Sequence, residues 1–160
     1  MRLLIAAVGK LKDGPERELF KRYQDRVNGS GKAVGLAPLD VHEIAEGRAG
    51  GREARLADEG QRLAACLRQG DFGILLDERG RIFNSRTFAD LLAEVRDRGM
   101  DRTVLMIGGP DGHGSAAREV ADRTFSLGAI TLPHGLVRVV LAEQIYRATT
   151  ILAGHPYHRD

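Results

Sequence analysis

Compact apolar runs at residues 2–8, 72–77, 103–107 and 125–132 are separated by stretches whose apolar residues return every three or four positions. That alternation leaves few folds open. A short aliphatic run bounded by glycine reads as a buried strand, and a stretch of 3.6-residue period reads as a helix packed on it. Residues 13–27 open with Asp13-Gly14-Pro15-Glu16, a helix start with proline near the first position, and the Asn28-Gly29-Ser30-Gly31 cluster reads as its end. Residues 34–44 carry a weaker strand, 53–67 a helix closed by Gly70, and 72–77 a strand entering the acidic turn Asp77-Glu78-Arg79-Gly80. Ser85 is placed to cap a helix over 86–98, where Phe88, Leu91, Leu92 and Val95 share a face. A glycine-rich loop, 108–114, follows the strand at 103–107, and a short helix over 115–123 follows the loop. The longest helix spans 135–153. Five strands alternating with five helices predict an α/β sandwich with a mainly parallel sheet, since parallel strands need such crossovers. With no repeat or linker, the whole chain, 1–160, reads as a single domain.

Composition narrows function by exclusion. The longest apolar stretch, 136–152, is broken by Arg138, Glu143, Gln144 and Arg147, so no membrane span is expected. Lys10, Lys12 and Asp13 cut the N-terminal run too short for a signal peptide. The single cysteine, Cys66, rules out an internal disulfide framework and fits the cytoplasm; it reads as a small core residue rather than a nucleophile. A net charge of +2 does not announce a nucleic-acid partner, although 20 of the 24 basic residues are arginine, which suits phosphate and guanine edges. Residues 46–52, rich in Gly and Arg, read as a mobile basic loop within the domain.

Four segments could carry chemistry. Gly108-Gly109-Pro110-Asp111-Gly112-His113-Gly114 leaves a buried strand and enters a helix, where open α/β sheets place ligands. Lacking a lysine after its last glycine, it is not a phosphate-cradling loop, and its late place in the chain argues against a dinucleotide fingerprint. A cofactor loop of another kind remains, beside a tight turn with no ligand, which four glycines in seven residues disfavour. Residues 125–134 are apolar, rich in small residues and end in Pro133-His134. They serve equally as a core strand with a hairpin exit or as apolar walls and backbone donors for an adenine ring. On the long helix, Arg138 interrupts an apolar run and must be paired, in an interface ion pair or on an anion. Glu143 and Arg147 have the spacing of a helical ion pair. The tail, His155-Pro156-Tyr157-His158-Arg159, gathers imidazoles, a stacking ring and a guanidinium, a useful set for gripping a nucleotide. Two histidines without a third ligand nearby do not make a metal site, and no metal is expected.

In this order, Ile107-Gly108-Gly109-Pro110-x-Gly112, Ser126-Leu127 to Thr131-Leu132-Pro133-His134, Val137-Arg138-x-x-Leu141-x-Glu143-Gln144-x-Tyr146-Arg147-Ala148 and the tail closely resemble the RlmH family of the SPOUT superfamily. Ala6-Val8-Gly9-Lys10 and Leu75-Leu76-Asp77 extend the resemblance more thinly. It implies an α/β domain whose C-terminal segment threads a deep trefoil knot, and an S-adenosylmethionine-dependent methyltransferase acting on N3 of a pseudouridine in 23S ribosomal RNA of the assembled ribosome. It implies a cofactor site at Leu76, Gly108 and Leu127, Gly128, Ala129, Ile130, Thr131 and Leu132. It further implies a homodimer in which one subunit's tail reaches its partner's site. His158, with His134 behind it, is then the candidate base for the N3 proton; Tyr157 would contact the pseudouridine, and Arg138 and Arg159 would hold phosphate or the developing anion. His113 departs from the resemblance, because an apolar residue is expected there.

Overall fold

The computed structural model describes residues 1–48 and 50–158. In chain order the elements are β1 (Arg2–Val8), α1 (Pro15–Ser30), a 3-10 turn (Gly31–Val34), β2 (Leu39–Ile44), α2 (Arg52–Ala64), β3 (Asp71–Ile82), α3 (Ser85–Asp97), β4 (Arg102–Ile107), α4 (Gly114–Glu119), β5 (Arg123–Ser126) and α5 (His134–Leu152). The strands form one sheet in the order β2-β1-β4-β3-β5, and every pairing is parallel. The mainly parallel sheet expected from the alternation is therefore wholly parallel among the described residues.

The two-residue period of the strands builds the layers. Leu3, Ile5 and Ala7 of β1 face one side, joined by Leu105 and Ile107 of β4, and pack with Phe20 of α1, Phe88 and Leu92 of α3, and Leu141 and Ile145 of α5. Leu4, Ala6 and Val8 face the other side with Val104 and Met106, beneath Leu63 of α2 and Ala117 of α4. Both faces of the sheet are covered, so its central strands carry continuous apolar runs, as buried parallel strands do.

Several boundaries differ from the sequence expectations, each for a local reason. Helix α1 continues through Asn28 and Gly29 to Ser30, because the Asn28 side chain turns outward to accept the Leu39 amide at 2.7 Å. The second strand starts at Leu39 rather than 34, since Leu36 N donates to Gly31 O at 2.8 Å and winds 31–34 into a turn. The cap of α3 is Asn84, whose Oδ1 accepts from Thr87 N at 2.8 Å; Ser85 is the first helical residue and donates to Gln144 Oε1 at 2.7 Å. Strand β3 passes through the acidic turn expected at 77–80. Its register on β5 shifts between Leu76 and Arg81, a bulge that keeps pairing with Phe125 and Ser126 while Glu78 and Arg79 stand exposed beyond buried Asp77. The extended segment expected over 125–132 stops at Ser126, and the rest is loop.

Candidate active site

The bulge in β3, the end of β4 and the loop beyond β5 meet at the carboxyl ends of the strands and enclose a cleft of about 840 Å³. Open parallel sheets place ligands there, and the volume falls in the range of small-molecule sites. Its apolar walls include Leu76, Ile107, Leu127, Leu132 and Val137, and its floor is the loop 108–114. The eight residues expected to hold a cofactor (Leu76, Gly108 and 127–132) come from three separate stretches of chain, and all eight line this one cleft.

Two glycines explain the shape. At Gly108 a Cβ would fall 2.3 Å from Gly112 O, so the loop folds tightly onto itself, with Gly112 N donating to Gly109 O at 3.0 Å. Gly128 has φ +112 with nothing within 4 Å of its Cβ position, so the backbone conformation and not crowding demands glycine. Its amide donates to Ser126 Oγ at 3.1 Å, which anchors the loop where the strand ends.

Ion pairs fasten the floor from two sides. Asp77, its side chain 4% exposed, accepts from Arg79 N at 2.8 Å, meets His113 Nε2 at 2.9 Å and pairs with Arg118. Burial opposes its charge, yet the Arg79 amide, His113 and Arg118 together hold the carboxyl below its ordinary range. His113 Nδ1 lies 3.0 Å from Gly114 O, so the residue that departs from the expected apolar type is a strut between β3 and the glycine loop. On the other side, Arg55 of α2 forks onto Asp111, with Nη2 at 2.8 Å and Nε at 3.1 Å. Buried Glu59 accepts from Gly47 N at 2.7 Å and packs beside Gly109, so the basic stretch expected to be a mobile loop is tied at Gly47 to the same floor. Sequence reasoning missed Asp77, Asp111, Glu59 and Arg118. The visible signal was an acid directly after the Leu75-Leu76 strand run and another inside the glycine loop.

Arg138 is 1% exposed and finds partners within its own chain. Nη1 pairs with Glu43 at 2.8 Å, and Nη2 donates to Val8 O at 2.9 Å and Gly9 O at 2.7 Å. It secures the end of β1 to α5. Nη2 also lies 2.7 Å from His134 Nε2, and a guanidinium only donates, so that ring nitrogen accepts. His134 lines the cleft, but its lone pair is engaged.

The tail lies elsewhere on the same chain. Tyr157 Oη donates to Glu143 at 3.1 Å, its ring meets Tyr146 edge-on at 4.8 Å, and the Arg147 guanidinium sits 4.8 Å from its centroid. Burial, hydrogen bonding to Tyr23 and the Glu143 charge push its phenol above the ordinary range. Arg147 Nη1 lies 3.5 Å from His158 Nδ1. Glu143 therefore gathers Arg147, Gln144 and Tyr157, more than the helical pair expected of it. Tyr146 is nine residues along α5 from Val137 at the cleft, about 14 Å of helix rise. Of the four residues expected to be catalytic, Tyr157 and His158 share this far end, Arg138 lies at the cleft end of α5 beside His134, and Arg159 lies outside the described residues. No helix among the described residues is long and apolar enough to cross a membrane, and no cluster of three or more His, Cys, Asp or Glu among them is placed to hold a metal ion.

A wholly parallel sheet covered on both faces, with a glycine-floored cleft at its carboxyl edge, defines a ligand-binding α/β protein of the nucleotide or cofactor class. The family follows from comparison: the chain belongs to the SPOUT methyltransferases, since the model described as "Predicted SPOUT methyltransferase" matches residues 1–158. It is 50% identical over 160 residues to the Ribosomal RNA large subunit methyltransferase H of Brucella anthropi, covering 100% of both chains. The protein of that name from Mesorhizobium japonicum is 52% identical over 159 residues, 99% of each chain. That from Xanthobacter autotrophicus is 51% identical over 159 residues, again 99% of each.

Proposed function

We propose that the chain is a cytoplasmic, S-adenosylmethionine-dependent methyltransferase that methylates N3 of a pseudouridine in 23S ribosomal RNA of the assembled ribosome. It works as one SPOUT domain spanning 1–160, with its C-terminal segment threaded through a deep trefoil knot, and as a homodimer. The observation that carries the reading is the convergence of Leu76, Gly108 and residues 127–132 on one cleft, in a chain half identical end to end to enzymes named for ribosomal RNA methylation.

The cleft fits the cofactor in chemistry. Leu76, Leu127 and Leu132 offer apolar walls for an adenine ring, the loop from Leu127 to Leu132 offers backbone donors and acceptors, and Gly128 leaves open space beside it. When bound, S-adenosylmethionine supplies an electrophilic methyl group. The chain's own work is to hold the pseudouridine in line and to remove its N3 proton, and positioning of that kind lowers a barrier substantially. His158 is the base, the role the family resemblance gives it, with His134 behind it. Tyr157 contacts the base, and Arg159 stabilises the developing anion. Arg138 acts by holding α5 against β1 rather than by meeting substrate. The separation of the tail from the cleft along α5 supports a dimeric site, in which Tyr157, His158 and Arg159 of one subunit serve the cleft of the other.

Radiolabelled methyl transfer to ribosomes, isolated ribosomal RNA and transfer RNA, measured in parallel, tests the reading. Label in large-subunit RNA of ribosomes, at N3 of a pseudouridine by nucleoside analysis, is the expected result. Label in transfer RNA alone overturns it.

A further inference from the structure

The mouth of the cleft carries more arginine than its carboxylates engage closely. Arg52, Arg79 and Arg118 all line it. Arg118 is paired to buried Asp77, and neighbouring Arg55 is forked onto Asp111. Arg52 and Arg79 are held far more loosely. Arg52 meets the Asp111 carboxylate at 3.6 Å with its side chain 70% exposed, and Arg79 meets Glu78 at 3.9 Å with its side chain 82% exposed. Exposed pairs at such distances hold little, and a stronger anion displaces them readily.

Their attachment gives them a place. Arg52 is the first residue of α2, and its Nη2 also reaches Asp111 O at 3.4 Å, on the α2 side of the glycine loop. Arg79 stands two residues after Asp77, whose carboxylate holds the same loop through His113. The two arginines thus flank the cleft floor from α2 and from the β3 bulge, each beside the acid that pins that side of the loop. A small carboxylate inside the cleft would call for an enclosed guanidinium. Two solvated ones at the mouth suit a polyanion crossing the opening, because a planar fork matches successive phosphates.

We infer that Arg52 and Arg79 form a phosphate grip for the RNA strand that flanks the target nucleotide. The inference rests on the reading above of an RNA substrate. It assigns a role to the arginine that ends the basic 46–52 stretch and to an arginine in the β3 bulge, neither of which is among the eight residues given to the cofactor or in the tail. Bound phosphate would take Arg52 from Asp111 while Arg55 keeps the loop in place.

Equilibrium binding to labelled large ribosomal subunits across a salt series tests it, using wild type, R52Q, R79Q, the double variant and R98Q. Arg98 pairs with Glu94 at the end of α3, beside the amino end of β4 and away from the cleft, and serves as the control. One phosphate contact scales with salt to a power of about −0.9, so at 0.1 M salt each cleft variant binds about eightfold more weakly and its salt slope falls by about one. Calorimetry with S-adenosylmethionine should show cofactor affinity unchanged in every variant. A double variant that binds like R98Q overturns the grip, as does a loss confined to cofactor affinity, which would make these arginines cofactor ligands. Binding and methyl transfer are read separately. A wild-type chain that binds the particles without methylating them refutes the proposed reaction while the variant series still decides the grip, and a wild-type chain that binds no particles refutes the grip itself.

Discussion

Nη2 of Arg138 lies 2.7 Å from Nε2 of His134, one turn earlier on the same helix, and both belong to the stretch that closes the cleft against β1. Since the guanidinium has only protons to give, the imidazole is neutral, with its proton on Nδ1. Burial, and then the Arg138 charge, hold this histidine below its ordinary value. Between the lowered folded value and an unfolded value of about 6.5, the unfolded chain binds the proton more readily. Stability is therefore complete above about pH 6.5 and declines as the pH falls through the folded value. Urea unfolding of wild type and H134Q should show the wild type losing more stability than the variant over that window. Parallel pH profiles would sink the assignment.

Arg138 itself should be the most costly residue of α5 to shorten. Its removal strips donors from Val8 O and Gly9 O and takes the paired charge from Glu43, which keeps only the Leu11 amide at 2.6 Å among these contacts. Loss on the order of 3 kcal/mol is expected for R138M, because orphaned buried acceptors cost more than the packing of the methionine returns. The urea midpoint measures it, and a shift below about 1 kcal/mol would show that water replaces the guanidinium.

Gly128 offers a test of the cofactor loop that spares the core. An alanine there meets no atom within 4 Å but must adopt φ near +112, a conformation costing about 1–3 kcal/mol for a side-chain-bearing residue. The loop should relax rather than the sheet unfold. G128A is expected to keep the wild-type unfolding midpoint to within that figure and to bind S-adenosylmethionine about tenfold or more weakly by calorimetry, one factor of ten per 1.4 kcal/mol. Wild-type affinity in G128A would remove this loop from the cofactor site.

The tail separates binding from turnover. Truncation after Gly154 should abolish methyl transfer and leave cofactor affinity intact, and H158A should lower turnover by about 10²–10⁴-fold, the usual worth of a positioned base. Normal methylation of ribosomes by the truncated chain would be fatal to the role given to Tyr157, His158 and Arg159.

Tyr157 supplies a spectroscopic check on the tail's place. Its phenol is desolvated, hydrogen-bonded to Tyr23 and faces the Glu143 carboxylate, all of which oppose ionisation. In an absorbance titration, the signal present in wild type and missing from Y157F should lie above pH 10, the ordinary tyrosine value. A difference signal at or below that pH would mean that the tail leaves α5 in solution.

The elements legible in the sequence are those whose signal is local. The runs at 2–8 and 103–107 are strands because uninterrupted aliphatics have nowhere else to go in a covered sheet, and the glycines of 108–114 mark the ligand edge without reference to any partner. What escaped is long-range. Asp77-Glu78-Arg79-Gly80 has turn chemistry, yet pairing with Phe125 and Ser126 draws the strand on to Ile82. Arg138 could be read only as a charge needing a partner, because Glu43 lies 95 residues away. The pairing of His113 with Asp77 spans 36 residues and obeys no periodicity, so the histidine stood out merely as the wrong residue type.

The strand order has a consequence for how the chain is made. The first strand synthesised ends in the interior of the sheet, between β2 and β4. On a translating ribosome, Arg2–Val8 can pair with Leu39–Ile44 early, but its other edge stays open until Arg102–Ile107 has been added. At about 5–20 residues per second, that is a wait of roughly 3–13 s with an apolar strand edge unpaired. Nascent chains stalled before residue 102 should therefore be more aggregation-prone and chaperone-bound than the released full-length chain, in which both edges of β1 are paired.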